Sequence, residues 1–438
     1  MSEFQERRAR YLAQMSDNSM AIFPAAAEQL RNNDCEYPFR QNSDFYYLTG
    51  FNEPDAYLLL IKKSEANQAI LFNRKKDKSA EIWHGYRLGQ SAAVSDLGFD
   101  SAYEVNEFEH HLQALMNGLS GLYFPMFQDT QLYDTLSGVV NHLRAGARRG
   151  SVAPVAFFDS LAILHEMRLF KSELEIELLS EAAEISASGH IRAMQSCHPG
   201  MWEYQLQAEI EHEFAMQGSP QQSYNSIVAG GHHACVLHYT ENNKQLHNGD
   251  LVLIDAGAEY QNYAGDITRT FPVNGVFSEQ QATLYQLVLD TQISAISQLK
   301  PGVAMADVNK HAIRLLVDGL LELGLLQGES EQLIKDEAYK AFYMHGIGHY
   351  IGLDVHDVGS YGSLEAPRPL EAGMVVTIEP GLYVSLDAEV DDCWKGIGIR
   401  IEDDVLITAH GAQVLTASVP KDINEIEALM AANKKGKK

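Results

Sequence analysis

The sequence predicts two domains of different classes, an α/β domain over residues 1–170 and a larger α+β domain, internally duplicated, over residues 171–438. Three observations carry this. The chain of 438 residues is too long for one ordinary domain. Up to about residue 170, strand-like and helix-like segments alternate, as they do in α/β units. Beyond it, GDLVLIDAG (Gly249 to Gly257) and AGMVVTIEPG (Ala372 to Gly381) share a glycine, a β-branched apolar strand, a carboxylate and a closing glycine.

Taken in order, FYYLTGF, AYLLLIKK and QAILFNRKK are short apolar runs closed by polar or Gly/Pro-bearing turns. The character changes at MRLFKSELEIELLSEAAEISASGHIRAMQ, where Leu174, Leu178, Ala182 and Ile185 fall at helical spacing and Ser172 with Glu175 forms a capping box. The boundary is expected just before it, near Leu169 to Lys171. A second capping box, Ser278 with Gln281, opens a helix running toward the Lys300-Pro301-Gly302 break. CHPGMWEYQLQAEI and LKPGVAMADVNKHAI each place Pro-Gly before a helical pattern, so the duplication extends beyond the strands. The tail KKGKK is expected to be a solvated, disordered end.

Thirty-three basic against 59 acidic residues give a formal charge of −26, which argues against nucleic acid and anionic membrane surfaces as partners. An apolar fraction of 45% is ample for cores. No run approaches the roughly 18 to 20 consecutive apolar residues of a membrane span, and the N-terminus has charges where a signal peptide needs an apolar core. Cys35, Cys197, Cys235 and Cys393 lack paired spacing, so neither a disulfide framework nor a CxxC metal site is indicated. A cytoplasmic location is the expectation.

The chemistry-bearing residues are Asp255, Asp266, His349, Glu379 and Glu402, each in a segment that reads as buried β-structure: LVLIDAG, YAGDITRTF, MHGIGH, MVVTIEPG and GIRIEDDVLIT. Carboxylates rarely occupy such strands unless paired or bound to metal. Asp266 follows Asp255, and Glu402 follows Glu379, within reach of a returning antiparallel strand, so two hairpins are expected to face each other around one site. Four carboxylates and one imidazole suit two divalent ions, with charges of −4 and +4 cancelling and room for a hydroxide between them. Without cations the four anions would repel strongly. Oxygen-dominated ligation with a single nitrogen suits manganese better than zinc. His345 and His349 stand four apart, the spacing of a helical zinc pair, but Gly346 and Gly348 make a helix there unfavourable. His232 and His233 read as loop decoration, and Asp357, Asp403 and Asp404 as supporting or solvent-facing neighbours of the site. GxSxG, GxxxxGK and HExxH motifs do not occur, which removes the main support for serine esterases, P-loop enzymes and zincins.

The segments HGIGHYIGLDVHDVG (His345 to Gly359), TIEPGLY (Thr377 to Tyr383) and GIGIRIEDDVLIT resemble the creatinase, prolidase and methionine aminopeptidase group, and within it the aminopeptidase P branch. EYPFRQNSDFYYLTGFNEP, EIWHGYRLG and LTASVPK extend the likeness over nearly the whole chain. The resemblance implies the duplicated "pita-bread" fold and an enzyme that removes the first residue from peptides with proline second. Carried over by position, Asp266 and Glu402 would bridge two ions, Asp255 would hold one, and His349 with Glu379 the other. It also makes Glu379 the general base and His356 a stabiliser of the tetrahedral intermediate. His238 and His345 would line the proline pocket, and Tyr383 and Arg400 would orient substrate and ligands. Asp34 and Trp83 would border the site in a dimer or tetramer, with the Trp83 ring coming from a neighbouring subunit; a core position is the plainer reading of that tryptophan. Arg368 would answer to a substrate-loop arginine.

An amide nitrogen that belongs to proline has no N–H for the usual protease contacts, so a dedicated pocket is needed whatever the family. Two other readings compete. HGIGH also matches prolidases, which cleave Xaa-Pro dipeptides and can act on organophosphates as a side reaction. A metal-free module that only binds peptides is the reading from another class, and all five ligand residues stand against it.

Overall fold

The computed structural model describes residues 2–436. The chain divides into two compact units, Met1–Arg168 and Leu169–Lys438. No helix among the described residues is long and apolar enough to cross a membrane, and no disulfide joins the cysteines.

The N-terminal unit is built on a six-stranded mixed sheet, ordered Ser101–Glu104, Gln68–Asn73, Tyr57–Lys62, Ser19–Pro24, Gly121–Phe124, Ala156–Asp159. The central strands are buried on both faces, which is why SMAIFP and YLLLIK read as continuous apolar runs rather than alternating ones. Met20, Ile22, Leu59, Ile61 and Phe72 pack there against Phe108, Leu112 and Leu136 of flanking helices. FYYLTGF does not form a strand. Ser43–Thr49 is a helix, because Asn42 caps its first turn by accepting from the Phe45 N–H and Gly50 ends it in the left-handed conformation at φ 63°. Asp44 in that helix receives Arg168 at 2.6 Å and His165 at 3.2 Å.

The C-terminal unit repeats one plan. Helices Glu173–Ser196 and Glu203–Met216 precede the sheet Thr268–Pro272, Leu251–Asp255, Ile227–Gly230. Helices Glu279–Gln298 and Met305–Glu322 precede the sheet Val375–Ile378, Asp403–Thr408, Gly411–Val414. Both expected capping boxes form, at Ser172 with Glu175 and at Ser278 with Gln281. The Pro-Gly turns match atom for atom: Gly200 donates to the Leu246 carbonyl at 2.8 Å and Gly302 to the Leu370 carbonyl at 2.9 Å. Both glycines lie in the left-handed region, at φ 92° and 94°.

Two hairpins follow from the same logic. Leu251–Asp255 pairs antiparallel with Thr268–Pro272, Asp255 opposite Thr268, and Val375–Ile378 pairs antiparallel with Asp403–Thr408, Ile378 opposite Asp403. The four carboxylates therefore sit at strand ends, where the backbone is free to turn a side chain inward. His349 is the exception to the strand reading. Its segment is irregular and is tied to the second sheet by the Tyr350–Val376 bridge and by hydrogen bonds from Thr377 N–H to His349 O and from Glu379 N–H to Ile347 O. The tail also differs from expectation: helix Ile423–Gly436 includes Lys434, Lys435 and Gly436, while Lys437 and Lys438 lie outside the described residues.

Candidate metal centre

The two hairpin ends and the His349 segment converge on a cavity of about 470 Å³ whose wall includes Asp255, Asp266, His349, Glu379 and Glu402. Ligand atoms of Asp266, His349 and Glu402 lie within 4.8 Å of one another, close enough for one cation to touch all three. Nε2 of His349 stands 3.5 Å from Asp266 and 3.6 Å from Glu379. Its Nδ1 donates to the Tyr350 carbonyl at 3.0 Å, which turns Nε2 toward the carboxylates, as a metal-binding imidazole requires. Hard oxygen donors with one imidazole fit divalent cations such as manganese.

Burial and crowding show in the acid–base behaviour. Burial pushes Glu379 up to about 7, against the opposing charges of His349 and Arg400. Burial likewise raises Asp255 and, well above its usual range, Glu402, where the charge of Asp266 adds to the effect. Burial would lower His349, but its hydrogen bond with Asp266 and the charges of Asp266 and Glu379 outweigh it and lift the ring to about 9. Burial and like charge thus disfavour ionising these acids together, a penalty that a bound divalent cation would relieve.

Around these residues lies a hydrogen-bonded frame. Arg400 donates to Asp255 at 2.6 Å, to the Tyr383 hydroxyl at 3.1 Å and to Thr268 Oγ1 at 3.1 Å, and Thr268 Oγ1 donates to Glu402 at 2.7 Å. His345 closes the chain. Its Nδ1 donates to the Gly346 carbonyl and its Nε2 accepts from Tyr383, each at 2.8 Å, and burial, then Arg400, lowers the ring to about 4. Both nitrogens are therefore engaged, so His345 offers the cavity a neutral ring edge rather than a polar contact. His238 and His356 are exposed and line the cavity, with the His356 ring edge-on to His349 at 4.4 Å between centroids.

Asp34 and Trp83 belong to the N-terminal unit, where both are exposed; Trp83, at 83%, is no core residue. Neither lines this cavity. Arg368 packs over the Phe170 ring and reaches Glu371 at 3.4 Å. Asp357, Asp403 and Asp404 are all buried, so none faces solvent. Asp404 accepts from the Asp266 N–H, and Asp403 is gripped by Arg269, Gln292, Lys421 and Thr416. Besides Thr268, a further residue with no counterpart in the sequence reading touches the cavity carboxylates: the Tyr224 hydroxyl stands 2.5 Å from both Asp255 and Asp266.

The model of metallopeptidase family M24 matches residues 177–409. The chain belongs to that family. In this M24 member a second model, the aminopeptidase P N-terminal domain, matches residues 4–123. The Xaa-Pro aminopeptidase of Escherichia coli (strain K12) is 50% identical over 434 residues, covering 99% of this chain and 98% of that protein. The Xaa-Pro aminopeptidase of Haemophilus influenzae is 50% identical over 428 residues, 98% of this chain and 97% of its own. Among solved structures, proline aminopeptidase P II from Yersinia pestis superposes with a TM-score of 0.96 at 51% identity, covering 99% of this chain and all of that one. A zinc-substituted E. coli aminopeptidase P in complex with product gives 0.97 at 49% identity, with 99% of both chains covered. The duplicated unit is thus the M24 pita-bread domain, and the protein is a metal-dependent peptidase.

Proposed function

We propose that this M24 metallopeptidase is an Xaa-Pro aminopeptidase, releasing the first residue of peptides whose second residue is proline. The observation that carries the reading is the meeting of Asp255, Asp266, His349, Glu379 and Glu402 on one cavity whose wall also holds His238, His345 and His356. Full-length likeness to proteins named for that activity supports the same substrate class.

In this reading Asp266 and Glu402 would serve both of two divalent ions, with Asp255 helping to hold one and His349 with Glu379 the other. Such ions, manganese by our reading of the donors, would supply an activated water and polarise the carbonyl to be attacked. Glu379, lifted by burial to about 7 before cations oppose that shift, takes the proton of the attacking water. It then returns a proton to the leaving proline nitrogen. His356, whose proton affinity is lowered by partial desolvation in the cavity wall and then by His349, donates from a neutral ring to the carbonyl oxygen as negative charge develops there. His238 and the edge of His345 face the proline ring, and Arg400 with Tyr383 keeps Asp255 and His345 in place.

We further infer a cytoplasmic homo-oligomer, a dimer or tetramer, in which Asp34 and a neighbouring copy's Trp83 border the site. Ile82, Trp83 and Tyr86 are 80%, 83% and 92% exposed, apolar surface of the kind a second copy covers.

The test of the assignment is Glu379→Ala. Loss of a ligand and the base together should lower kcat by more than about 10³-fold. Near-normal kcat would overturn it.

A further inference from the structure

His238 lines the cavity wall together with Leu237 and Thr240. What fixes that segment lies behind it. Glu203, in the first turn of helix Glu203–Met216, is fully buried, and a carboxylate there is costly unless its oxygens are bonded. Three donors meet it, all from one stretch of chain: Gly230 N–H at 2.9 Å, Lys244 N–H at 2.9 Å and the Tyr239 hydroxyl at 2.8 Å. His233 Nδ1 lies 3.5 Å away, and its ring stacks on Tyr239 at 4.9 Å. One helical turn on, Gln207 accepts from Asn242, which also donates to the Ser226 carbonyl and accepts from the Val228 N–H. The base of the segment from 226 to 244 is thus pinned to one face of that helix by residues four apart.

Tyr239 is buried and His238 exposed, so at the end of the turn that holds Leu237 and His238 the two adjacent side chains leave the segment on different sides. Anchoring the phenol inward therefore aims the neighbouring imidazole outward, into the cavity. We propose that Glu203 and Tyr239 are positioning residues for His238, holding its ring where the substrate's proline binds. This rests on the proposed Xaa-Pro activity and on His238 contacting substrate.

A double-mutant cycle on the manganese-loaded enzyme tests it, with an Xaa-Pro-Yaa tripeptide as substrate and metal content and melting temperature measured beside the kinetics. Tyr239→Phe removes one hydroxyl from an otherwise intact core, and should raise KM about tenfold with kcat changed by no more than about twofold and metal content unaltered. His238→Ala should also raise KM, and adding Tyr239→Phe to it should change nothing more. Glu203→Gln, which keeps an acceptor oxygen for the phenol, should lose less than Glu203→Ala. If the Tyr239→Phe effect persists undiminished in the His238→Ala background, or if Tyr239→Phe leaves KM unchanged, the proposal is wrong. A wild-type enzyme inactive on the tripeptide would instead remove the functional reading, and the proposal with it.

Discussion

At the scale of single residues, the proposed metal site depends on groups that hold its carboxylates as much as on the carboxylates. Tyr224 is the strongest case, since one hydroxyl meets both Asp255 and Asp266 at 2.5 Å. Burial, then the Asp255 charge, raises that phenol well above its ordinary value, so it remains a protonated donor between two carboxylates. Tyr224→Phe should weaken manganese binding by about 10- to 100-fold, the usual cost of removing a ligand's supporting partner. Titration of chelator-stripped protein with Mn²⁺ measures this, and an unchanged affinity would show that the hydroxyl does not orient the ligands. Tyr224 was illegible in the sequence for a plain reason. It stands 31 residues from Asp255 and 42 from Asp266, and no motif or period connects them. The four carboxylates on the cavity wall, Asp255, Asp266, Glu379 and Glu402, were legible because acids in apolar strands are anomalous wherever they occur. His345 lay between these cases: its neighbourhood to the site could be read, but not the engagement of both its nitrogens by Gly346 and Tyr383.

At the scale of elements, the two hairpins present four carboxylates because each strand ends where its acid begins. The first hairpin also requires two loops to touch. A Cβ on Gly257 would collide with the backbone carbonyl of Gly265, which brings the turn after Asp255 against the turn before Asp266. Gly257→Ala should therefore destabilise the protein by about 2 to 3 kcal/mol and weaken metal binding, because backbone cannot yield as a side chain can. Thermal melts and Mn²⁺ titration together check this, and a variant unchanged in both would mean that the loops have slack. The duplication was readable from its repeated strand, acid and glycine, and from the two Pro-Gly turns. Two elements were misread, each because apolar content was taken for strand. Ser43–Thr49 is a helix set by its caps, and the His349 segment is an irregular stretch whose hydrogen bonds reach a neighbouring sheet, information that lies in tertiary contacts rather than in local composition.

At the scale of the whole molecule, the two units answer differently to acid. In the N-terminal unit, burial alone would raise the Asp44 carboxyl, but the His165 hydrogen bond and the Arg168 charge outweigh it and hold it below 3.8. A carboxyl depressed on folding contributes stability that is present above its unfolded value and lost as pH falls through its folded value. Asp44→Asn should therefore lower the unit's stability by about 2 kcal/mol near neutrality, with the gap closing as the pH drops below about 4. Melts of both proteins from pH 7 to pH 3 test this; a gap independent of pH would assign the effect to shape rather than charge. At the cavity of the C-terminal unit the arrangement is the opposite, burial raising Asp255, Glu379 and Glu402, while at Asp403, away from the cavity, burial is outweighed by Arg269 and Lys421, which lower it to about 2.

That contrast leads to the most direct test of the whole account. Chelator-stripped enzyme should be assayed for release of the first residue from an Xaa-Pro-Yaa tripeptide and from an Xaa-Pro dipeptide, with and without added Mn²⁺. Tripeptide cleavage that is absent in the stripped enzyme and returns with manganese is the predicted result. Cleavage of the dipeptide alone, or tripeptide cleavage indifferent to metal, would contradict it.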